Sequence, residues 1–201
     1  MANLAIFKKS FPVLQRFYAA RTIIYNDSED SIGADERGFG MTIDAADFRK
    51  ALARFASGVT VITMAVDGEM SGITVSAFSS LSLHPPLILA CIDKTANALP
   101  FARKSKAFAV NILASDQSHL SNQFASKMSD KFQGVDYFIG ELGQPILEGV
   151  QAYLVCQLRE ELDGGDHVIL IGEVEAASVD SSRQPLLYYS SHYGSFHPFE
   201  S

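Results

Sequence analysis

Little in this chain could anchor it to a membrane, a metal or a nucleic acid. No apolar run approaches the roughly 18 residues needed to cross a bilayer. The two cysteines, Cys91 and Cys156, are too few for a disulfide framework and lack the paired spacing of a structural zinc site. Both stand inside apolar runs (L-I-L-A-C-I and Y-L-V-C-Q-L), where a thiol behaves as a small hydrophobe, so both are expected in the core. Free thiols make a reducing cytoplasm the simplest compartment. Positive charge is also short: 16 Lys and Arg against 23 Asp and Glu give a net charge of -7. That balance argues against a grip on nucleic acid or anionic lipid, both of which need a basic surface, and for a small-molecule or protein partner. Several catalytic kits are missing as well. The sequence contains no G-x-G-x-x-G, P-loop, G-x-S-x-G elbow or H-E-x-x-H, which removes support for Rossmann nucleotide binding, phosphoryl transfer, elbow-serine acyl transfer and zincin chemistry.

What is present is enough for one ordinary domain. The 201 residues are 47% hydrophobic and 19% charged, which is sufficient apolar material for a core. Residues 1–40 read as an arm and linker. Lys8, Lys9, Arg16 and Arg21 accompany Phe7, Phe11, Leu14 and Phe17 at amphipathic spacing, followed by the polar stretch Asn26 to Gly40; a targeting peptide would fit the first part, but an appended arm, or an upstream start codon ahead of Met41, is the preferred reading. The domain is assigned to 41–201, with Asp44 capping a helix whose apolar face is Phe48, Leu52 and Phe55.

Runs rich in β-branched residues predict strands at 58–66 and 72–78 around an Asp67-Gly68 turn, and apolar runs predict further strands at 87–92, after the His84-Pro85-Pro86 break, and at 107–113, 152–160 and 167–176. Short helices are expected between them. Pro100 suits the first turn of one, and Ser115 can cap another carrying Leu120, Phe124 and Met128. Antiparallel-looking strands without steady βαβ alternation point to a mainly β barrel with short helices.

The polar signal is a set of small hydroxyl residues interleaved with strand residues: Ser71, Thr74, Ser76, Ser79, Ser80 and Ser82, then Lys94, Thr95 and Asn97. Short donors and exposed amides without bulk suit a planar polar ring with a phosphate tail; the same residues could simply fill the solvent face of an edge strand. Among the histidines, His84 before two prolines reads as structural and His119 as solvent-facing. His192 and His197 lie in a tail with no strand pattern, and without a carboxylate or thiol at ligand spacing no metal site is expected. Of Tyr188 and Tyr189, one is expected in the core and one at its rim.

Six segments in order carry a resemblance: G-V-T-V-I-T from Gly58, S-G-I-T-V-S-A-F-S-S-L-S-L-H-P-P from Ser71, F-A-V-N-I-L from Phe108, F-A-S-K-M-S-D-K-F-Q-G-V from Phe124, G-G-D-H from Gly164 and P-L-L-Y-Y from Pro185. Together they resemble the short-chain flavin reductase family, the reductase components of two-component flavin-dependent monooxygenases. The resemblance implies a split β-barrel that binds FMN or FAD, usually as a homodimer, takes hydride from NADH or NADPH and serves a monooxygenase component. It further implies that Ser71, Gly72, Ile73 and Thr74 lie along the flavin ring, followed by Ser76 and Ala77. Cys91, Ile92 and Asp93 would flank the ribityl chain, and Lys94, Thr95 and Asn97 would meet the phosphate. Gln123 and Phe124, with Lys131 and Phe132, would close the pocket. Asp166, His167, Tyr193 and Gly194 would face the nicotinamide, with His167 as the catalytic candidate. The chain departs from the family pattern at Lys131, where many relatives read Arg, and at Ser191 and His192, where Gly is frequent, which leaves the nicotinamide preference open. A flavin carrier without turnover and an oxidase of the pyridoxamine-phosphate type share the barrel; the second should carry more basic residues than this chain offers.

Overall fold

Seven strands form one antiparallel sheet, and its order explains why it curls. In the computed structural model, which describes residues 43–199, the strands are β1 (Ser57–Gly58), β2 (Thr60–Val66), β3 (Glu69–Val75), β4 (Phe78–Leu83), β5 (Pro86–Asp93), β6 (Ala107–Ile112), β7 (Tyr137–Ile139), β8 (Pro145–Leu147), β9 (Ala152–Gly164), β10 (His167–Val179), β11 (Leu186–Tyr189) and β12 (His192–Ser195). The helices are α1 (Ala45–Leu52), α2 (Ala98–Ser105) and α3 (Ser118–Ala125). The large sheet runs β3-β2-β6-β9-β10-β5-β4, so β3 and β4 are its two opposite edges. Yet only Ser76 and Ala77 separate them in sequence. A two-residue link cannot span an open seven-stranded sheet, so the sheet must roll until its edges meet. The edges do not pair as strands, and the barrel is left split along a seam at Ser76–Ala77.

The barrel is filled by Ile62, Met64, Val75, Ile88, Ile92, Phe108, Val110, Leu170 and their neighbours, with α2 adding Leu99 and Ala102. Val61 on the opposite side of β2, with Val59 just before the strand, faces a second cluster outside the barrel, made with Leu113, Leu120, Phe124, Phe132, Leu147 and Leu186. Burial on both faces is why β2 reads as a near-continuous apolar run. The Asp67-Gly68 turn forms as expected, both residues having positive φ (53° and 85°), the signature of a two-residue hairpin whose twist matches its strands.

Several expectations are corrected. The predicted strand 72–78 is two strands, because the chain breaks at Ser76–Ala77 and Phe78 opens β4. Asp44 does cap α1, its carboxylate accepting the Ala46 amide at 2.8 Å. The helix, however, buries nothing: Phe48, Leu52 and Phe55 are 49%, 57% and 79% exposed, and the hydrogen bonds from the end of the helix run from Ala53 and Arg54 to Ser190 in the β11–β12 turn. Ser115 does not cap α3. The helix starts at Ser118 behind Gln117, whose side chain instead binds the Ala114 amide and the Glu148 carbonyl, and Met128 lies beyond the helix and exposed. Cys156 is core, but Cys91 is only half-buried on the outer face of β5. Tyr188 and Tyr189 are both exposed, because β11 and β12 form a small separate sheet with β1. The segment around His192 is not irregular but strand β12, formed by pairing with β11. The expectations for residues 1–40 and Met41 lie outside the described residues.

Candidate functional site

The seam collects most of the residues singled out by sequence, in two groups. The first is built on edge strand β3 and helix α3. Thr74 Oγ1 donates to the Ser121 carbonyl at 2.7 Å. At Gly72 the Phe124 ring lies 2.6 Å from where a Cβ would sit, so only glycine lets the helix come this close. Lys131 Nζ donates to the Phe124 carbonyl (2.7 Å) and the Gly72 carbonyl (3.2 Å). Gln123 Nε2 holds the same loop through the Lys131 and Gln133 carbonyls. Since the Gly72 carbonyl is reached from outside the sheet, it faces away from β2, and the two-residue period puts the Thr74 main-chain groups on that same outer edge. Ser71 and Ile73 point the other way in the strand and pair with Met64 and Ile62. Phe124 is fully buried and stacks edge-on against Phe132 at 5.1 Å, so this pair backs the wall rather than lining it.

The second group stands where β5 ends and β10 begins. Asp93 is the register partner of His167. Its carboxylate accepts the Thr95 amide (2.7 Å) and the Thr95 hydroxyl (2.6 Å), and these two donors hold it below the usual carboxylate range. His167 Nδ1 lies 2.7 Å from Asp166 Oδ1, which likewise lowers the Asp166 carboxyl and leaves Nε2 as the ring nitrogen open to a ligand. Lys94 pairs with Asp163, and its amide binds the Asp166 carbonyl. Ile92 is buried with its side chain in the barrel, so only its main chain can face the seam. Asn97 precedes α2 without capping it and is exposed. Ser76 and Ala77 connect the two groups: the Cys91 amide donates to the Ala77 carbonyl at 2.9 Å, and both linker residues are exposed.

Tyr193 joins the first group rather than His167. Tyr193 Oη lies 2.9 Å from both Ser121 Oγ and Asn122 Oδ1, while Gly194 stands in open space opposite Leu187. Ser121, Asn122 and Asp163 were not foreseen. A serine on the buried face of α3, between Leu120 and Phe124, was the available signal for the first; nothing in the sequence tied Asp163 to Lys94. Two surface clefts of about 320 and 340 Å³, one around Phe101 and Lys104 and one around Phe138 and Tyr153, involve neither group.

A rolled antiparallel sheet whose edges do not pair with each other defines the class: a split barrel. Residues 52–197 match the flavin reductase like domain family, and the chain belongs to that family. It is 40% identical over 155 residues to a flavin reductase from Pseudomonas putida, covering 77% of this chain and 91% of that one. It is also 40% identical over 156 residues to the reductase subunit of a flavin-dependent monooxygenase from Rhodococcus jostii, covering 78% and 80%. Among solved structures it resembles an NADH:FAD oxidoreductase from Streptomyces globisporus in complex with NAD and FAD fragments, with TM-score 0.75 and 33% identity over 81% of this chain and 100% of that one.

Proposed function

We propose that the protein is an NAD(P)H-dependent flavin reductase that takes FMN or FAD against the seam and supplies reduced flavin to a monooxygenase component. One observation carries the reading: the strip from Gly72 to Ala77 offers main-chain groups and small side chains along an unpaired sheet edge, and it ends at the Asp93–His167 corner. The donor set fits a flavin ring, which needs hydrogen-bond partners along one edge and no bulk over its face. The phosphate end fits on one condition. Lys94 is committed to Asp163 and the Thr95 hydroxyl to Asp93, so Lys94 must leave an exposed ion pair, a weak tie, to meet a phosphate.

When bound, the flavin supplies the hydride-accepting chemistry, which is why the chain needs no nucleophile of its own. The residues then divide the remaining work. Gly72, Thr74, Ser76 and Ala77 orient the ring; Asn97 and a released Lys94 take the phosphate. Asp166 fixes the His167 ring so that Nε2 can donate to or accept from the nicotinamide amide. Tyr193, tethered to α3, presents its ring at the rim. The open face of α1 and the exposure of the linker support a homodimer in which a second copy covers both.

The test is to mix the purified protein with FMN or FAD and NADH or NADPH and follow the nicotinamide absorbance. Consumption well above the protein-free rate is expected. Flavin binding without consumption would replace the reductase with a flavin carrier. Light scattering on the same sample should return twice the chain mass; a monomer that turns over would remove the dimer from the reading.

A further inference from the structure

Lys131 is an ammonium spent on two main-chain carbonyls. It bonds Gly72 and Phe124, and the ion pairs formed by the described residues do not include it. Burial lowers its pKa from the ordinary lysine value, so the charge is held there against a desolvation penalty. A solvated lysine on the surface would serve solubility as well, so this placement calls for another reason. The two carbonyls supply one. Phe124 belongs to the last turn of α3, whose terminal carbonyls lack helical partners and carry the negative end of the helix dipole, and Gly72 lies on the outer edge of β3. A single cation therefore ties the end of a short helix to the sheet edge beside the seam, at the position where glycine admits the Phe124 ring.

We propose that Lys131 is a positioning residue of the flavin site, clamping β3 to α3 so that the Gly72–Ala77 strip keeps one fixed line. This rests on the flavin-reductase reading above. The clamp touches main chain only, so what it controls is alignment of the strip. Its loss should appear in flavin affinity and not in the nicotinamide step, which depends on the Asp93–His167 corner across the seam. Thr74 Oγ1 makes a parallel tie to Ser121 one turn earlier, so the strand stays attached without Lys131 and the variant should fold.

The experiment compares Lys131→Met and Lys131→Arg with the parent chain, and uses Lys127→Met, an exposed lysine four residues earlier, as the control. Flavin dissociation constants are measured by fluorescence titration with FMN and with FAD alone, and kcat and KM are measured for each substrate. For Lys131→Met, a flavin dissociation constant and flavin KM raised about tenfold are expected, with kcat and the NADH KM within twofold of the parent. Lys131→Arg should recover flavin affinity to within threefold, since a guanidinium can donate to both carbonyls. Lys127→Met should match the parent. A Lys131→Met protein that melts at lower temperature but binds flavin as tightly as the parent would make the residue merely structural and overturn the proposal. So would a fall in kcat at unchanged flavin affinity, or failure of arginine to rescue. The titrations need no turnover, so a parent chain that binds flavin but consumes no nucleotide would sink the reductase reading and leave the clamp still under test.

Discussion

Asp163 and Lys94 set the terms for the proposed phosphate end of the site. The pair is exposed, and as long as it holds, the lysine is unavailable to an anion. Replacing Asp163 with Asn keeps the size and removes the competitor. Asp163→Asn is therefore expected to lower the flavin KM about two- to fivefold, an affinity gain of up to about 1 kcal/mol, with the NADH KM unchanged. Steady-state kinetics decide it, and a KM that stays put or rises means Lys94 is not a phosphate ligand. Residue-level reading of the sequence worked best where one side chain has one reason to be there. Asp44 as a helix cap and Asp67-Gly68 as a tight turn were legible because cap and turn chemistry are local. Lys131 was legible only as a member of the D-K-F motif. Its work on Gly72 joins positions 59 residues apart, and no local rule reports that.

Helix α3 has eight residues, too few to be stable alone, so its order depends on its attachments. Thr74 and Lys131 hold it from β3, and Tyr193 holds it from β12. Tyr193→Phe removes only the second anchorage. Hydrogen exchange at the amides of Leu120 to Phe124 should accelerate several-fold, while the β9 and β10 amides keep their protection. Equal protection in both proteins would mean that β12 rests beside α3 without bracing it. The long strands β9 and β10 were readable from their apolar runs, although each extends farther than expected. Strands β7, β8, β11 and β12 were not, for they are three or four residues long and take their form from a partner rather than from a pattern. The break between β3 and β4 was hidden for a different reason: Val75 and Phe78 both look like strand interior, and only the rolling of the sheet demands a turn at Ser76–Ala77. The apolar face of α1 misled in the opposite direction, since its spacing says that it will be covered without saying by what.

At the scale of the molecule, most of the barrel could be read from residue order while the site could be read only as a set of neighbours. Family resemblance grouped Tyr193 with His167, whereas the fold ties Tyr193 on β12 to α3 and sets His167 at the start of β10 beside Asp93. What joins the groups is the pair Ser76–Ala77, and this has a mechanical consequence. Two intervening residues leave three Cα-to-Cα steps between Val75 and Phe78, at most about 11 Å, so covalent bonds as well as packing bound the width of the cleft at this end. Inserting two glycines between Ser76 and Ala77 should leave the melting temperature nearly unchanged, because the barrel's filling does not depend on the tether. The same insertion should cost most of the flavin affinity, read by fluorescence titration. If affinity survives, the banks find their spacing without the tether. Otherwise the peptide itself is the gauge against which the coenzyme is measured, and natural variation in ligand choice on this scaffold has to arise from the banks, since the gap between them has no freedom to change.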